Sequence, residues 1–193
     1  MRLDLSTVRR VFRDEEVMSI SRRYFVSNGF DGTLTSIGVT VGAYLSGIPH
    51  GGTVVKIGLG AAVGLGTSGV WSVWEIERAE KRAERKRIER AMLTDLEGTV
   101  VSRDLFAARL VNALASGLGP VLAVFVVVSP FLFATWAVSM LVATLLSVAA
   151  GVAVLFALGS YVGDMADLNW WVAGLRMGAA GVVVAALNVL LPG

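Results

Sequence analysis

Asp31 is the residue whose setting most constrains the chemistry open to it. It lies in SNGFDGTLTSIG, and an apolar run follows from Gly38. A helix entering a bilayer near Tyr24 carries Asp31 about 10 Å deep, at roughly 1.5 Å of rise per residue. A carboxylate at mid-membrane costs about 2.5 kcal/mol or more even on the gentlest insertion scale, so such groups face a bundle interior or a wet path. As a hard oxygen group it suits a cation ligand or a proton carrier. The structural alternative is an ion pair with Arg176, at similar depth in the last apolar run. Asn28 and Thr35 stand at i−3 and i+4 from Asp31, which puts them on its face of the helix. Thr67 and Ser68, in GLGAAVGLGTSGVWS, offer further hydroxyls to the same path. Taken singly, these hydroxyls read as groups that bond back to their own helix, and the glycines as packing surface.

A second set of carboxylates lies in WEIERAEKRAERKRIERAML: Glu75, Glu77, Glu80, Glu84 and Glu89. Glu77, Glu80 and Glu84 share a helix face, and three carboxylates on one face can gather a divalent cation. Arg78, Lys81, Arg82, Arg85, Lys86 and Arg87 are interleaved with them. That pattern fits a solvated, salt-bridged helix, with Glu77–Lys81 and Glu84–Arg87 as the expected pairs. Asp164 and Asp167 are expected to cap the turn before the last apolar run. His50, the sole histidine, falls in a short polar connection. Cysteine is absent, which excludes disulfides and thiolate metal sites. No nucleophile triad, phosphate-binding glycine loop or zinc signature appears, so the chain reads as neither an enzyme nor a cofactor protein.

The elements that must position these groups are long and apolar. Of 193 residues, 55% are hydrophobic and 17% charged, well below the roughly 25% charged of soluble domains. Five apolar stretches run from Tyr24 to Ile48, Gly51 to Trp74, Phe106 to Pro130, Phe131 to Val162 and Trp170 to Leu191. Each reaches the ~20 residues a membrane helix needs, and none alternates as a barrel strand does. The fold class read from this is an all-α integral membrane protein of five transmembrane helices. Residues 1–23 form a basic amphipathic interfacial helix, 24–74 hold spans one and two, 75–105 form a cytoplasmic charged helical extension, and 106–193 hold spans three to five. Gly98 is expected to end the extension, and Ser102 or Asp104 to cap the helix after it. The first 24 residues carry charges throughout and show no signal-peptide core. Arg2, Arg9, Arg10, Arg13, Arg22 and Arg23 in the first segment, and the basic residues after Trp74, orient both segments to the cytoplasm. That places the N-terminus inside and the C-terminus on the opposite side. The basic segments lie close to an anionic membrane surface, which argues for lipid rather than nucleic acid as partner.

Three stretches resemble the vacuolar iron transporter family, with its shorter prokaryotic members: RRYFVSNGFDGTLTSIGVTVGA, VWEIERAEKRAERKRIERAML and LFALGSYVGDMADLNWWVAGLRMGAAG. The likeness runs from about Arg22 onward. It implies a five-span homodimer that moves ferrous iron or manganese out of the cytosol in exchange for protons. Asp31 matches the family's intramembrane metal-path aspartate. Glu75, Glu77, Glu80 and Glu84 become carboxylates at the cytoplasmic mouth, and Asn28, Thr35, Thr67 and Ser68 line the way. Two departures stand out. Gly69, in TSGVWSVWE, occupies the place of the family's span-two methionine, and Glu75 is the nearest remaining carboxylate. The cytoplasmic region is also short and more basic than acidic. The alternative reading is a non-transporting membrane scaffold that binds anionic lipid or a soluble partner through its basic segments, with Asp31 and Arg176 paired structurally.

Overall fold

A computed structural model of the protein describes residues 9–93, 100–134 and 137–191. Those residues form five long helices and no strand. They are α1 (Glu15–Leu45), α2 (Gly51–Met92), α3 (Val100–Val128), α4 (Met140–Met165) and α5 (Trp170–Leu190), with a 3-10 turn at Ser129–Leu132. Four segments are long and apolar enough to cross a membrane: Gly51–Met92, Asp104–Leu132, Met140–Met165 and Trp170–Leu190. They mark a multi-pass membrane chain. α1 falls outside that set because its sequence is too polar, with Arg22, Arg23, Asn28 and Asp31 following one another at short intervals.

The first segment is not one interfacial helix. A helical turn at 9–11 gives way to a bend, and Asp14 restarts the chain as α1. The Asp14 carboxylate accepts hydrogen bonds from the backbone N–H of Glu16 (3.0 Å) and Val17 (3.4 Å), two donors a helix start otherwise leaves unmet. Glu15–Tyr24 is therefore the first part of α1 itself. Val11 and Val17 bury against Ala107 and Ala108 of α3, and Arg10 pairs with Asp104 at 3.0 Å. The bend is thus pinned to α3 at two points. The first eight residues of the expected interfacial helix, like Gly98, lie outside the described residues, as does the Ser102 side chain.

α2 runs unbroken from the span into the charged extension, 42 residues or about 63 Å at ~1.5 Å per residue. Leu93 ends it in the left-handed region (φ 52°). α3 starts at Val100, so Asp104 stands inside it, bound to Arg10 rather than capping. The connection expected at Ser129–Pro130 is longer and reaches Ser139, whose hydroxyl caps α4. Asn169, not Asp164 or Asp167, caps α5 by accepting from Trp171 and Val172 N–H. Asp167 takes the left-handed turn position instead (φ 52°).

The helices meet through small residues. A Cβ built on Gly32 of α1 would lie 2.6 Å from Pro120 Cα, and one on Gly159 of α4 would lie 2.6 Å from the Ala173 carbonyl oxygen. Such approaches let backbones touch where no hydrophobic force drives helix pairing. α1 packs mainly on α3 and also on α4 and α5; α2 packs on α3, and α4 on α5. Ile37, Val41, Val127 and Leu155 form the central apolar cluster.

Candidate functional site

α1 divides its polar groups between two faces. Thr33, Ser36 and Thr40 are buried, and each hydroxyl donates to a carbonyl of its own helix, at 2.7 Å to Gly29, 2.7 Å to Gly32 and 3.0 Å to Ile37. Their hydrogen bonding is satisfied locally, as small hydroxyls in membrane helices allow. Arg23, Ser27, Asp31 and Thr35 recur every fourth residue on the opposite, exposed face. Asp31 therefore points away from its own bundle. No hydrogen bond or ion pair to it occurs among the described residues, and Arg176, exposed on α5, is not its partner. The expected Asp31–Arg176 pair is absent from the single chain.

Asn28, at the edge of that face, turns inward. Its Nδ2 donates to Ser116 Oγ (2.5 Å) and to the Ser116 carbonyl (3.2 Å), while Ser116 Oγ donates to the Gly69 carbonyl (2.9 Å). This network ties α1, α3 and α2 together, so Asn28 acts as a structural link between helices. One turn toward the N-terminal end of α3, Ser21 Oγ donates to Asn112 Oδ1 at 2.6 Å, and both residues are buried. Among the described residues, Asn112 Nδ2 has no hydrogen-bond partner. Ser21, Asn112 and Ser116 were not singled out from the sequence. Asn112 and Ser116 stand four apart in the apolar run LFAARLVNALASGLGP, and that spacing was the available signal. Thr67 and Ser68 are exposed on α2, with Gly60 and Gly64 open beside them.

The four candidate carboxylates of α2, Glu75, Glu77, Glu80 and Glu84, separate. Glu75, Glu80 and Glu84 are exposed. Glu84 pairs with Lys81 at 2.9 Å and Glu75 with Arg78 at 3.6 Å, so the salt-bridged helix is present with partners other than those expected. Exposed pairs of this kind contribute ~0.2–1 kcal/mol at most. Burial alone disfavours the Lys81 ammonium, but the Glu84 hydrogen bond and the charges of Glu84, Glu77 and Glu16 outweigh it and hold Lys81 above its ordinary range. Glu77 is different. It is 1% exposed, and its Oε2 has no hydrogen-bond partner. It continues the packed stripe Gly58, Ala62, Gly66, Gly69, Val73 that α2 turns toward α3. Its charge and that of Glu80 both act on Tyr24 of α1. A buried carboxylate is unfavourable unless a positive charge or several donors compensate it. Among the described residues no group of three or more acidic, histidine or cysteine side chains is close enough to hold a metal ion. The expected Glu77–Glu80–Glu84 cluster therefore does not form.

The Arg109 guanidinium lies over Trp74 at 3.8 Å from the ring centre and over Phe106 at 4.9 Å. The two rings meet edge to face at 5.8 Å. This bracket fixes α2 to α3 where the apolar segments begin, and cation–π contacts gain strength as they lose water.

The chain is 28% identical over 174 residues to the protein of Methanocaldococcus jannaschii named uncharacterized protein MJ0645, a match covering 88% of this chain and 87% of that one. No protein-family model matches the chain. No solved structure matches it.

Proposed function

We propose that the protein is a divalent-cation transporter that exports ferrous iron or manganese from the cytosol in exchange for protons, working as a homodimer. The observation that carries this reading is the outward stripe of Ser27, Asp31 and Thr35 at the middle of α1. Tyr24–Leu45 is about 33 Å long at ~1.5 Å per residue, enough to cross the hydrocarbon layer as a fifth span. Arginine distribution puts the N-terminus in the cytoplasm. An ionised side chain facing lipid is expensive, so the stripe belongs against a second copy of the chain. Two stripes face to face make a polar seam lined by carboxylate and hydroxyl oxygens, the donors hard divalent cations prefer. Thr67 and Ser68 on the open surface of α2 would flank that seam.

Glu77 supports the same reading from the cytoplasmic end, where a passing cation would compensate its buried charge. The exposed carboxylates Glu75, Glu80 and Glu84 raise the local cation concentration outside it. The non-transporting scaffold is favoured by one observation, the dispersal of these acids among ion pairs on an exposed helix. Proteoliposomes loaded with a manganese- or iron-sensitive dye decide between the two. Metal flux driven by a pH gradient is expected from the wild type and is lost in Asp31→Asn. Flux that persists unchanged in Asp31→Asn, or its absence from the wild type for iron, manganese and cobalt alike, rejects transport through this seam.

A further inference from the structure

A pocket of about 570 Å³ opens at the bend before α1, lined by Phe12, Arg13, Met18 and Arg22 together with Ser19 and the acidic pair Asp14 and Glu15. Neither arginine has an ion-pair partner among the described residues, and Arg22 Nε is buried with no hydrogen bond. Asp14 is already committed, since its carboxylate caps α1. Glu15 is exposed. The pocket is held open by its supports rather than by its own lining: Val11 and Val17 are buried against α3 on one side, and Arg10 is bound to Asp104 on the other. Arg22 comes two residues before Tyr24, where α1 meets its first apolar stretch, so the pocket lies at the depth of lipid headgroups when the N-terminus faces the cytoplasm.

We infer that this pocket binds the phosphate of an anionic glycerophospholipid in the inner leaflet. Two guanidiniums are opposite in charge to a phosphate diester and suit its oxygens in hydrogen-bond geometry. The Ser19 hydroxyl adds a donor, and the exposed Phe12 with the half-buried Met18 gives the glycerol and upper acyl carbons an apolar wall. The negative surface potential of that leaflet concentrates such ligands at basic sites. The inference rests on the cytoplasmic placement of the N-terminus and is independent of whether the chain transports anything.

The test uses the full chain purified in detergent. Its retention of dioleoylphosphatidylglycerol is measured by native mass spectrometry against dioleoylphosphatidylcholine, and inorganic phosphate is added as a competitor. Phosphatidylglycerol is expected to be retained in preference to phosphatidylcholine. Arg13→Gln with Arg22→Gln lowers its retention roughly tenfold or more, the combined effect of two surface charges. Glu15→Gln raises retention, a gain that misfolding does not produce. Arg82→Gln with Arg87→Gln, on the exposed part of α2, removes the same charge and leaves retention unchanged. Equal loss in the two double variants reduces the effect to net charge and overturns the site. Complete displacement by millimolar inorganic phosphate assigns the pocket to a soluble phosphate and overturns the lipid.

Discussion

Replacing Gly32 by alanine should separate α1 from α3, and the structure sets the size of the effect. A Cβ at position 32 would lie 2.6 Å from Pro120 Cα, 2.7 Å from Pro120 Cβ and 3.1 Å from the Pro120 carbonyl oxygen. Carbon atoms rest at about 3.5–4.0 Å, so the overlap is roughly 1 Å. The obstacle is a proline ring and backbone inside a helix, and neither rotates aside. Overpacking of this kind costs typically ~1–3 kcal/mol. Gly29 supplies an internal control on the same helix, because its Cβ would meet Gly119 and Leu158 at an ordinary 3.6 Å. Both substitutions gain the same helix propensity, up to ~1 kcal/mol, so that contribution cancels between them. Gly32→Ala should therefore be less stable than Gly29→Ala by about 1–3 kcal/mol. Unfolding in mixed micelles of increasing dodecyl sulfate content, followed by fluorescence of the five tryptophans, measures the difference. Because Asp31 adjoins Gly32, the looser variant should also change the seam proposed for the dimer. Equal stability of the two variants, or a more stable Gly32→Ala, would show that α1 and α3 do not touch as described.

Glu77→Gln should raise the unfolding midpoint in metal-free detergent by a gain of order ~1–3 kcal/mol, since it removes a buried carboxylate whose Oε2 has no hydrogen-bond partner among the described residues; a lowered midpoint would show that its attraction to Lys81 outweighs the cost of burial. Lys81→Met should destabilise slightly at neutral pH. The ammonium is held above its ordinary pKa of 10.5, so its contribution is complete below that value and fades only as pH rises through the raised one. Melting curves of the two proteins should thus differ by a constant amount from pH 6 to 9 and converge only in stronger alkali. Ser27→Cys or Thr35→Cys, introduced into this cysteine-free chain, should crosslink two copies in the membrane, whereas Val41→Cys, buried in the core, should not. Crosslinks from the core position alone would place the dimer seam elsewhere.

The long apolar runs and the helix-forming stretch after Trp74 were legible because each depends on local composition. α2 continues past the apolar segment since nothing in WEIERAEKRAERKRIERAML interrupts a helix. The direction of the α1 polar groups was not legible. Thr33, Ser36 and Thr40 are as polar in sequence as Thr35, yet they lie inside because their hydroxyls reach their own carbonyls. Polarity in a membrane helix therefore does not by itself say which face looks outward. The spacing that groups Glu77 with Glu80 and Glu84 on one face does not say which of them that face buries. The small residues at 58, 62, 66 and 69, followed by Val73, already traced the packed stripe on which Glu77 falls. The break at Asp14 was hidden by the basic residues around it, although an aspartate followed by two glutamates is a helix-start signal.

The unbroken course of α2 makes it a lever. From Trp74 to Met92 the rod extends about 28 Å beyond its apolar part, at ~1.5 Å per residue, with no glycine or proline to act as a joint. A protein or membrane surface that displaces the far end by ~5 Å tilts the rod by roughly 10°, and that rotation bears first on the Arg109 bracket and then on the small residues facing α3. The same stiffness works in reverse, so a rearrangement at Gly66 and Gly69 swings the distant tip through a visible arc. A fluorophore pair on Arg90 and a residue of α4 would register that swing as a change in energy transfer.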